Sequence, residues 1–246
     1  MMLTFNAGVI NAVVLTSFAN GVSHMTGVVV RTAIHLTQRE GYSLREGILI
    51  LVSFMAGAVF SGMVIRSQSF KAGRRYGVVM TTEALFLTLS AYIFYRGGFW
   101  GELPAAFACG MQNAMITIYS GSVIRTTHLT GTITDIGTAL GYLFSDVIIS
   151  LRQYALHKYR RMIYRAEEGK NRPTPLTFRR HMTRKLRRHL HHKILRLFFV
   201  FVSFFTGALT GTVLFDTFSF NTLLFSAAFI GTAGVLYTVR QHRLTA

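Results

Sequence analysis

The 246-residue chain is too apolar for an ordinary soluble domain, because 51% of its residues are hydrophobic and its mean hydropathy is +0.40. Its apolar runs approach the roughly 20 residues that cross a bilayer as a helix, which predicts an integral membrane protein. The one cysteine, Cys109, excludes an intramolecular disulfide and a metal centre built from cysteines.

The net charge of +17 is concentrated in one segment of the chain. Of the 26 Lys and Arg residues, 15 lie between Arg152 and Arg196, a stretch whose acids are Glu167 and Glu168, so this stretch alone carries +13. The bias is typical of a cytoplasmic loop, and such a loop can bind anionic lipid head groups. A nucleic-acid partner is disfavoured, since no aromatic and glycine recognition pattern accompanies the charge.

The first predicted element, residues 3–38, is an apolar unit interrupted by a polar motif. Asn11 lies in its first arm, and the sequence His24-Met25-Thr26-Gly27 marks the interruption. Thr is a good helix N-cap, and Gly lets a backbone or a ligand approach closely. A broken helix at membrane depth must be buried in protein or face a water-filled cavity, so we predict that these polar residues bind substrate. The alternative is that they only satisfy backbone groups freed at a turn, with Asn11 tying helices together.

Two uninterrupted helices are predicted next, at residues 47–66 and 77–95. The second carries Glu83, an acidic residue with no basic residue near it in the sequence. A carboxyl group inside a membrane helix is by default a functional group, so Glu83 is a candidate for carrying a proton. A position near the inner water interface is the alternative.

Residues 104–150 form a second interrupted unit. Asn113 lies in its first arm, and His128-Leu129-Thr130-Gly131 repeats the motif of the first unit. Arg125 and Asp135 flank this motif, and charges inside a membrane unit are costly unless paired or functional. The residues predicted to bind substrate are Asn11, His24, Thr26, Gly27, Asn113, Arg125, His128, Thr130 and Gly131, with Asp135 joining Glu83 as a proton-coupling candidate. The alternative for Arg125 and Asp135 is an ion pair in which each only neutralises the other.

The remaining predicted helices, 194–215 and 221–240, complete a duplication. Ser53-Phe54-Met55-Ala56-Gly57 is echoed by Ser203-Phe204-Phe205-Thr206-Gly207, which follows it by 150 residues, whereas the two Asn positions differ by 102. We therefore divide the chain into one membrane repeat at 1–100 and another at 101–246, with a basic insertion at about 152–193 in the second. Internal duplication in an apolar chain is typical of membrane transporters.

The basic links predict the orientation of the predicted helices. The positive-inside rule places the Arg66–Arg75 link, the 152–193 insertion and both termini in the cytoplasm. These assignments agree only if each interrupted unit crosses the membrane an odd number of times. The sequence therefore predicts an all-α integral membrane protein of six crossing units, arranged as a three-plus-three inverted repeat, although a re-entrant piece in the long second unit stays open.

The motifs resemble those of the YoaK-like bacterial membrane proteins. The resemblance rests on Asn11-Ala12 with Ser23-His24-Met25-Thr26-Gly27, on Glu83, and on Gly110-Met111-Gln112-Asn113-Ala114 followed by Thr127-His128-Leu129-Thr130-Gly131. It implies a multi-pass protein of the bacterial inner membrane, in a family without an assigned function. This chain differs in having Val28 where that family usually has Asn, and in its long basic insertion.

These features favour secondary transport of a small polar, anionic solute with proton coupling as the function. The alternative is a membrane-embedded scaffold or sensor that acts through its basic cytoplasmic segment. An intramembrane enzyme is disfavoured, since neither motif supplies a metal triad or a nucleophile–base pair, and we expect no catalytic residues, metal or cofactor. Association between copies of the chain is left open.

Overall fold

In a computed structural model, residues 1–18, 22–38, 44–65, 73–120, 127–166 and 184–245 are described. Within these ranges the chain forms eight α-helices and no β-strand, which confirms the all-α prediction. The helices are α1 (Met2–Phe18), α2 (Met25–Gln38), α3 (Leu44–Ile65), α4 (Gly73–Tyr95), α5 (Glu102–Tyr119), α6 (Leu129–Ala166), α7 (Arg184–Phe218) and α8 (Thr222–Thr245).

Four segments of the described chain are long and apolar enough to cross a membrane. They are Leu44–Ile65, Arg75–Tyr95, Leu129–Tyr159 and Leu186–Arg240. The last of them contains most of α7 and of α8, which a short 3₁₀ turn at Ser219–Asn221 separates. Their length and composition identify the chain as a membrane protein.

Helix α3 shows how its sequence suits a lipid surrounding. One face buries small residues and Ile side chains, and the opposite face exposes large apolar ones at helical spacing. The exposed face comprises Ile48, Val52, Met55, Val59 and Met63, the last of them 65% exposed. A continuous apolar stripe of this kind would be unfavourable in water but faces lipid at no cost.

The described residues divide into two compact units. The smaller, residues 130–199, contains most of α6 and the first part of α7. Two ion pairs join these helices: Lys193 Nζ lies 3.2 Å from Asp135 Oδ1, and Arg187 contacts Asp146.

The basic segment predicted as a loop is helical at both of its ends. Helix α6 continues to Ala166 and α7 begins at Arg184, so much of the 152–193 insertion extends the two helices that it connects. The sequence from Tyr142 to Glu168 contains no Gly or Pro that would end a helix, which explains the extension.

The larger unit, residues 1–129 with 200–246, packs helices of the two sequence repeats against each other. Helix α3 lies beside α5, with Ser53 Oγ donating to the Leu103 carbonyl at 2.7 Å and Ser61 Oγ donating to the Met111 carbonyl at 2.9 Å. The two bonded positions are eight residues apart in each helix and follow in the same order, so α3 and α5 run in the same direction. Between these bonds, Gly57 packs directly on the carbonyl oxygen of Phe107.

Helix α1 and the second part of α7 repeat this arrangement. Ser203 Oγ donates to Met1 Sδ at 3.3 Å, and Gly207 packs on the carbonyl oxygen of Phe5. Met1 and Phe5 lie 102 residues before their counterparts Leu103 and Phe107. Ser203 and Gly207 lie 150 residues after their counterparts in α3. The duplication of the sequence is thus matched by duplicated contacts.

Helices α4 and α8 pack together in opposite directions. A Cβ added to Gly77 would lie 2.7 Å from the carbonyl oxygen of Gly234, and one added to Gly234 would lie 3.0 Å from that of Gly77. Further along, Phe94 stacks on Phe220 with ring centroids 4.6 Å apart. The contact is reciprocal, because Gly77 and Gly234 each pack on the carbonyl oxygen of the other.

Candidate functional site

A polar cluster lies in the apolar interior where α1, α4 and α5 meet. Its centre is Glu83 of α4, which is fully buried. Gln112 of α5 donates from Nε2 to Glu83 Oε1 at 2.7 Å, and Asn6 of α1 donates from Nδ2 to the same oxygen at 3.5 Å. These two hydrogen bonds offset part of the cost of burying the three polar side chains.

Two atoms of this cluster have no hydrogen-bond partner within the described parts of the chain. They are Glu83 Oε2 and Gln112 Oε1, and both are buried. The partners described for Glu83 are amides, so no described cation neutralises it. Such a carboxyl group can bind and release a proton, which is the role predicted for Glu83.

Apolar groups shield the cluster along α4 and α5. Phe86 stacks on Phe107 with ring centroids 4.2 Å apart, one turn beyond Glu83. Leu87, one turn after Glu83, and Met111, directly before Gln112, are both completely buried. The surrounding side chains therefore keep the carboxyl group away from bulk water in this conformation.

The two predicted Asn residues make matching hydrogen bonds at the helix breaks. Asn11 Nδ2 donates to the Ala7 carbonyl at 2.7 Å, and Asn113 Nδ2 donates to the Cys109 carbonyl at 3.0 Å. The carbonyl side of each amide accepts a hydroxyl from the segment just before the second arm: Ser23 Oγ donates to Asn11 Oδ1 at 2.6 Å. Its counterpart, Thr127 Oγ1, donates to Asn113 Oδ1 at 3.0 Å. We call these two arrangements the Asn–hydroxyl latches.

The motif residues lie at the start of the second arms. Helix α2 begins at Met25 and α6 at Leu129, so each motif His comes directly before a helix. The Thr residues of the motifs therefore lie inside the first turns, and the expectation that they act as N-caps is wrong. His24 and Thr26 of the first motif are exposed, as are His128 and Thr130 of the second.

A close contact explains the glycine of the first motif. A Cβ added to Gly27 would overlap the imidazole ring of His24. Only Gly permits this ring to fold back over the first turn of α2. Its counterpart Gly131 is half-buried in α6.

The predicted charged residues of the second unit do not form a described pair. Asp135 is bonded to Lys193 of α7 within the smaller compact unit. Arg125 lies outside the described residues, so its pairing with Asp135 stays a prediction. Across the described ranges, no three His, Cys, Asp or Glu side chains are grouped as a metal site would require.

Sequence reasoning missed Asn6 and Gln112, the two partners of Glu83. Gln112 stands inside the duplicated motif, directly before Asn113, and Asn6 stands in an otherwise apolar helix. Polar amides in such helices were the available signal, since a buried carboxyl group needs donors from its neighbours.

Comparison with known proteins places this architecture in a family without assigned activity. No curated protein and no solved structure gives a significant match to the chain. One family model, described as a protein of unknown function, DUF1275, matches residues 1–236. Since that match covers nearly the entire membrane-spanning architecture, the chain belongs to the DUF1275 family.

Proposed function

We propose that the protein is a secondary transporter of a small polar solute, coupled to protons through Glu83. The observation that carries the proposal is the Glu83–Gln112–Asn6 cluster, a completely buried carboxyl group whose partners in the described structure are both amides. Ionisable groups buried in membrane helices are rare, and they mark proton relays and substrate pathways.

An inverted repeat of six crossing units is the architecture that we propose for transport. The antiparallel contact between α4 and α8, helices at corresponding places in the two repeats, supports it. So does the exchange of partners, in which α1 packs on α7 and α5 packs on α3. In such transporters one repeat rocks against the other around a central site.

The proton site occurs once, although the framework around it is duplicated. The position equivalent to Gln112 in the first repeat is Ile10, and the position equivalent to Asn6 in the second repeat is Ala108. Each amide donor to Glu83 thus comes from a different repeat and has an apolar counterpart. This asymmetry supports one proton site per chain.

The solute would bind near the two helix breaks. His24 and His128 stand at the positive N-terminal ends of α2 and α6, which favour an anionic group on the solute. The latches hold these ends in place through Asn11 and Asn113. The resemblance to YoaK-like bacterial membrane proteins favours the inner membrane, and the basic segments favour both termini in the cytoplasm.

Ligand-induced stabilisation tests this proposal. The purified chain is screened by thermal shift against a panel of polar metabolites, because a ligand raises the melting temperature of the state that it binds. We expect stabilisation by at least one small anionic solute, lost in His128→Ala and kept when residues 167–183 are replaced by a short Gly-Ser linker. Stabilisation that survives His128→Ala but disappears with the linker would contradict a site at the breaks.

A second candidate function, a sensor or scaffold at the membrane surface, has one specific observation in its favour. In the smaller unit the two acidic residues of α6 up to Tyr159 are already engaged, Asp135 by Lys193 and Asp146 by Arg187. The other basic side chains described there, including Arg152 and Arg188, can therefore face anionic lipid head groups. Reconstitution into neutral and anionic bilayers tests it: a sensor would lose function in neutral lipid or with the linker, whereas a transporter would keep it.

A further inference from the structure

The contact between Glu83 and Gln112 is one of the two hydrogen bonds that a carboxylic acid and an amide side chain can form with each other. Gln112 Nε2 donates to Glu83 Oε1 at 2.7 Å, which uses one polar atom of each side chain. The other atom of each, Glu83 Oε2 and Gln112 Oε1, has no partner in the described structure. Without a proton on the carboxyl group, both of these oxygens can only accept hydrogen bonds.

A protonated carboxylic acid and a primary amide complement each other at two points. The amide N–H donates to one acid oxygen, and the acid O–H donates to the amide oxygen. The first of these bonds is present here, and the two unsatisfied atoms are the pair that the second would join. We propose that Glu83 binds its proton on Oε2 and donates it to Gln112 Oε1, so that the acid–amide pair is the proton-binding site. That this proton drives transport rests on the proposed function, whereas the existence of the proton-binding site does not.

Loss of the proton has a structural consequence in this arrangement. A charged carboxylate would then remain in the apolar interior next to an amide oxygen that cannot donate to it, which is unfavourable. The proton therefore leaves when α5 moves away from α4 and admits water, which accepts the proton and then hydrates the carboxylate. Gln112 is therefore a positioning residue that senses the protonation of Glu83.

The next residue of α5 connects this event to a helix break. Asn113 follows Gln112 directly and holds Thr127 beside the second motif His. A movement of α5 driven by the proton would therefore displace Asn113 and its bond to Thr127. Two adjacent residues, Gln112 and Asn113, thus connect the proton-binding site to the region proposed for the solute.

Few other ionisable groups face the pair. Cys109 of α5 interacts electrostatically with Glu83, and it is buried as a free thiol. From α1 the facing group is the neutral amide of Asn6, and from α8 the residue opposite Ala84 is Gly231. Within the described parts of α1, α3 and α8, no charged side chain acts on Glu83.

Infrared spectroscopy of the purified full chain in lipid nanodiscs tests the acid–amide pair. A protonated carboxyl group has its own C=O stretching band, whose frequency rises when its hydrogen bonds are lost. We expect such a band at neutral pH that disappears in Glu83→Gln and shifts to higher frequency in Gln112→Leu. Asn6→Leu, the matched control, removes the other amide donor without touching Oε2 and should shift the band much less.

Glu83→Gln offers a second measurement, because its amide can donate to Gln112 Oε1 permanently. The variant should fold and should lose the dependence of melting temperature on pH that wild type shows when Glu83 titrates. A carboxyl band whose frequency is unchanged in Gln112→Leu, or one that is still present in Glu83→Gln, would overturn the inference. Proton-driven uptake that needs Glu83, found together with a carboxyl band that does not depend on Gln112, would overturn this pair but keep the proposed transporter. A carboxyl band that depends on Gln112, found without proton-driven uptake, would keep the pair and overturn the proposed transporter.

Discussion

The amide side chains of Asn11 and Asn113 each join two parts of an interrupted helix. Both donate to a carbonyl one turn earlier in their own helix and both accept a hydroxyl from across the break. A hydrogen bond between helix segments in a membrane contributes roughly 0.6 kcal/mol on average and up to about 1.7 kcal/mol. The Ser23 bond to Asn11, at 2.6 Å, is the shorter of the two latch bonds.

Removal of the hydroxyl from either latch should destabilise the protein. We expect Ser23→Ala and Thr127→Val each to cost about 1 kcal/mol of the free energy of unfolding, and a double-mutant cycle of Ser23→Ala with Asn11→Ala to show coupling. Unfolding of the purified protein in mixed micelles measures both. Thr232→Val is the control, since Thr232 Oγ1 bonds only carbonyls of its own helix. Equal losses for Thr232→Val and Ser23→Ala would mean that the latches contribute no cross-break stability.

The sequence predicted the residues that carry charge or polarity but not their partners. Glu83 stood out because a membrane helix carried an acid without a neighbouring cation. Its donors Asn6 and Gln112 lie 77 and 29 residues away, and no local periodicity connects positions that far apart. Asp135 shows the same limit, since its described partner is Lys193 and not a residue of its own motif.

Glycines set the distance between helices in the larger unit. Gly57 and Gly207 occupy equivalent places in α3 and α7, and each packs on the carbonyl oxygen of a Phe in the neighbouring helix. Close approach of this kind stabilises membrane helices, because dispersion contacts replace the hydrophobic driving force that is absent in lipid. Side chains larger than hydrogen cannot occupy these positions without separating the helices.

Alanine substitutions should therefore distinguish the packed glycines from the free ones. We expect Gly57→Ala and Gly207→Ala each to destabilise the fold by roughly 1–3 kcal/mol, the usual cost of overpacking. Gly62→Ala is the matched control in α3, because a Cβ there has no atom within 4 Å, and it should be neutral or slightly stabilising. Thermal melting in detergent gives the ranking, and a Gly62→Ala loss as large as that of Gly57→Ala would disprove the packing role.

Apolar periodicity identified the helices, but the structure of the basic insertion was predicted wrongly. The predicted helices at 47–66, 77–95 and 221–240 agree with α3, α4 and α8 to within a few residues at most ends. The basic insertion was expected to form a loop, because charge was read as a sign of exposure. A charged face is compatible with a helix, and the described ends of the insertion are helical.

The duplication was visible in the sequence, whereas the exchange of helices between repeats was not. Offsets of 102 and 150 residues reveal equivalent positions but say nothing about which helix packs on which. That choice depends on the shape of complementary surfaces, such as Gly207 against Phe5. Only the three-dimensional arrangement shows that α1 contacts α7.

An inverted repeat makes a direct topological prediction. The turn between α4 and α5 and the turn between α7 and α8 should lie on the outer side, and the end of α6 on the inner side. In a Cys109→Ala background, Arg96→Cys and Ser219→Cys should react with an impermeant thiol reagent added to intact cells, and His157→Cys should not. All three sites are exposed on the protein, so access depends on the side of the membrane. Labelling at His157→Cys would contradict this topology.

The central claim is that Glu83 couples proton movement to transport, and one comparison tests it most directly. A solute that stabilises the protein is loaded into proteoliposomes, and its exchange and its accumulation under a pH gradient are both measured. Glu83→Gln should still exchange solute across the membrane but should fail to accumulate it, because its amide imitates the protonated acid and releases no proton. Asp216→Asn is the control, since Asp216 is an exposed carboxyl group of α7 outside the polar cluster, and it should accumulate solute as wild type does. Normal pH-driven accumulation by Glu83→Gln would contradict the account.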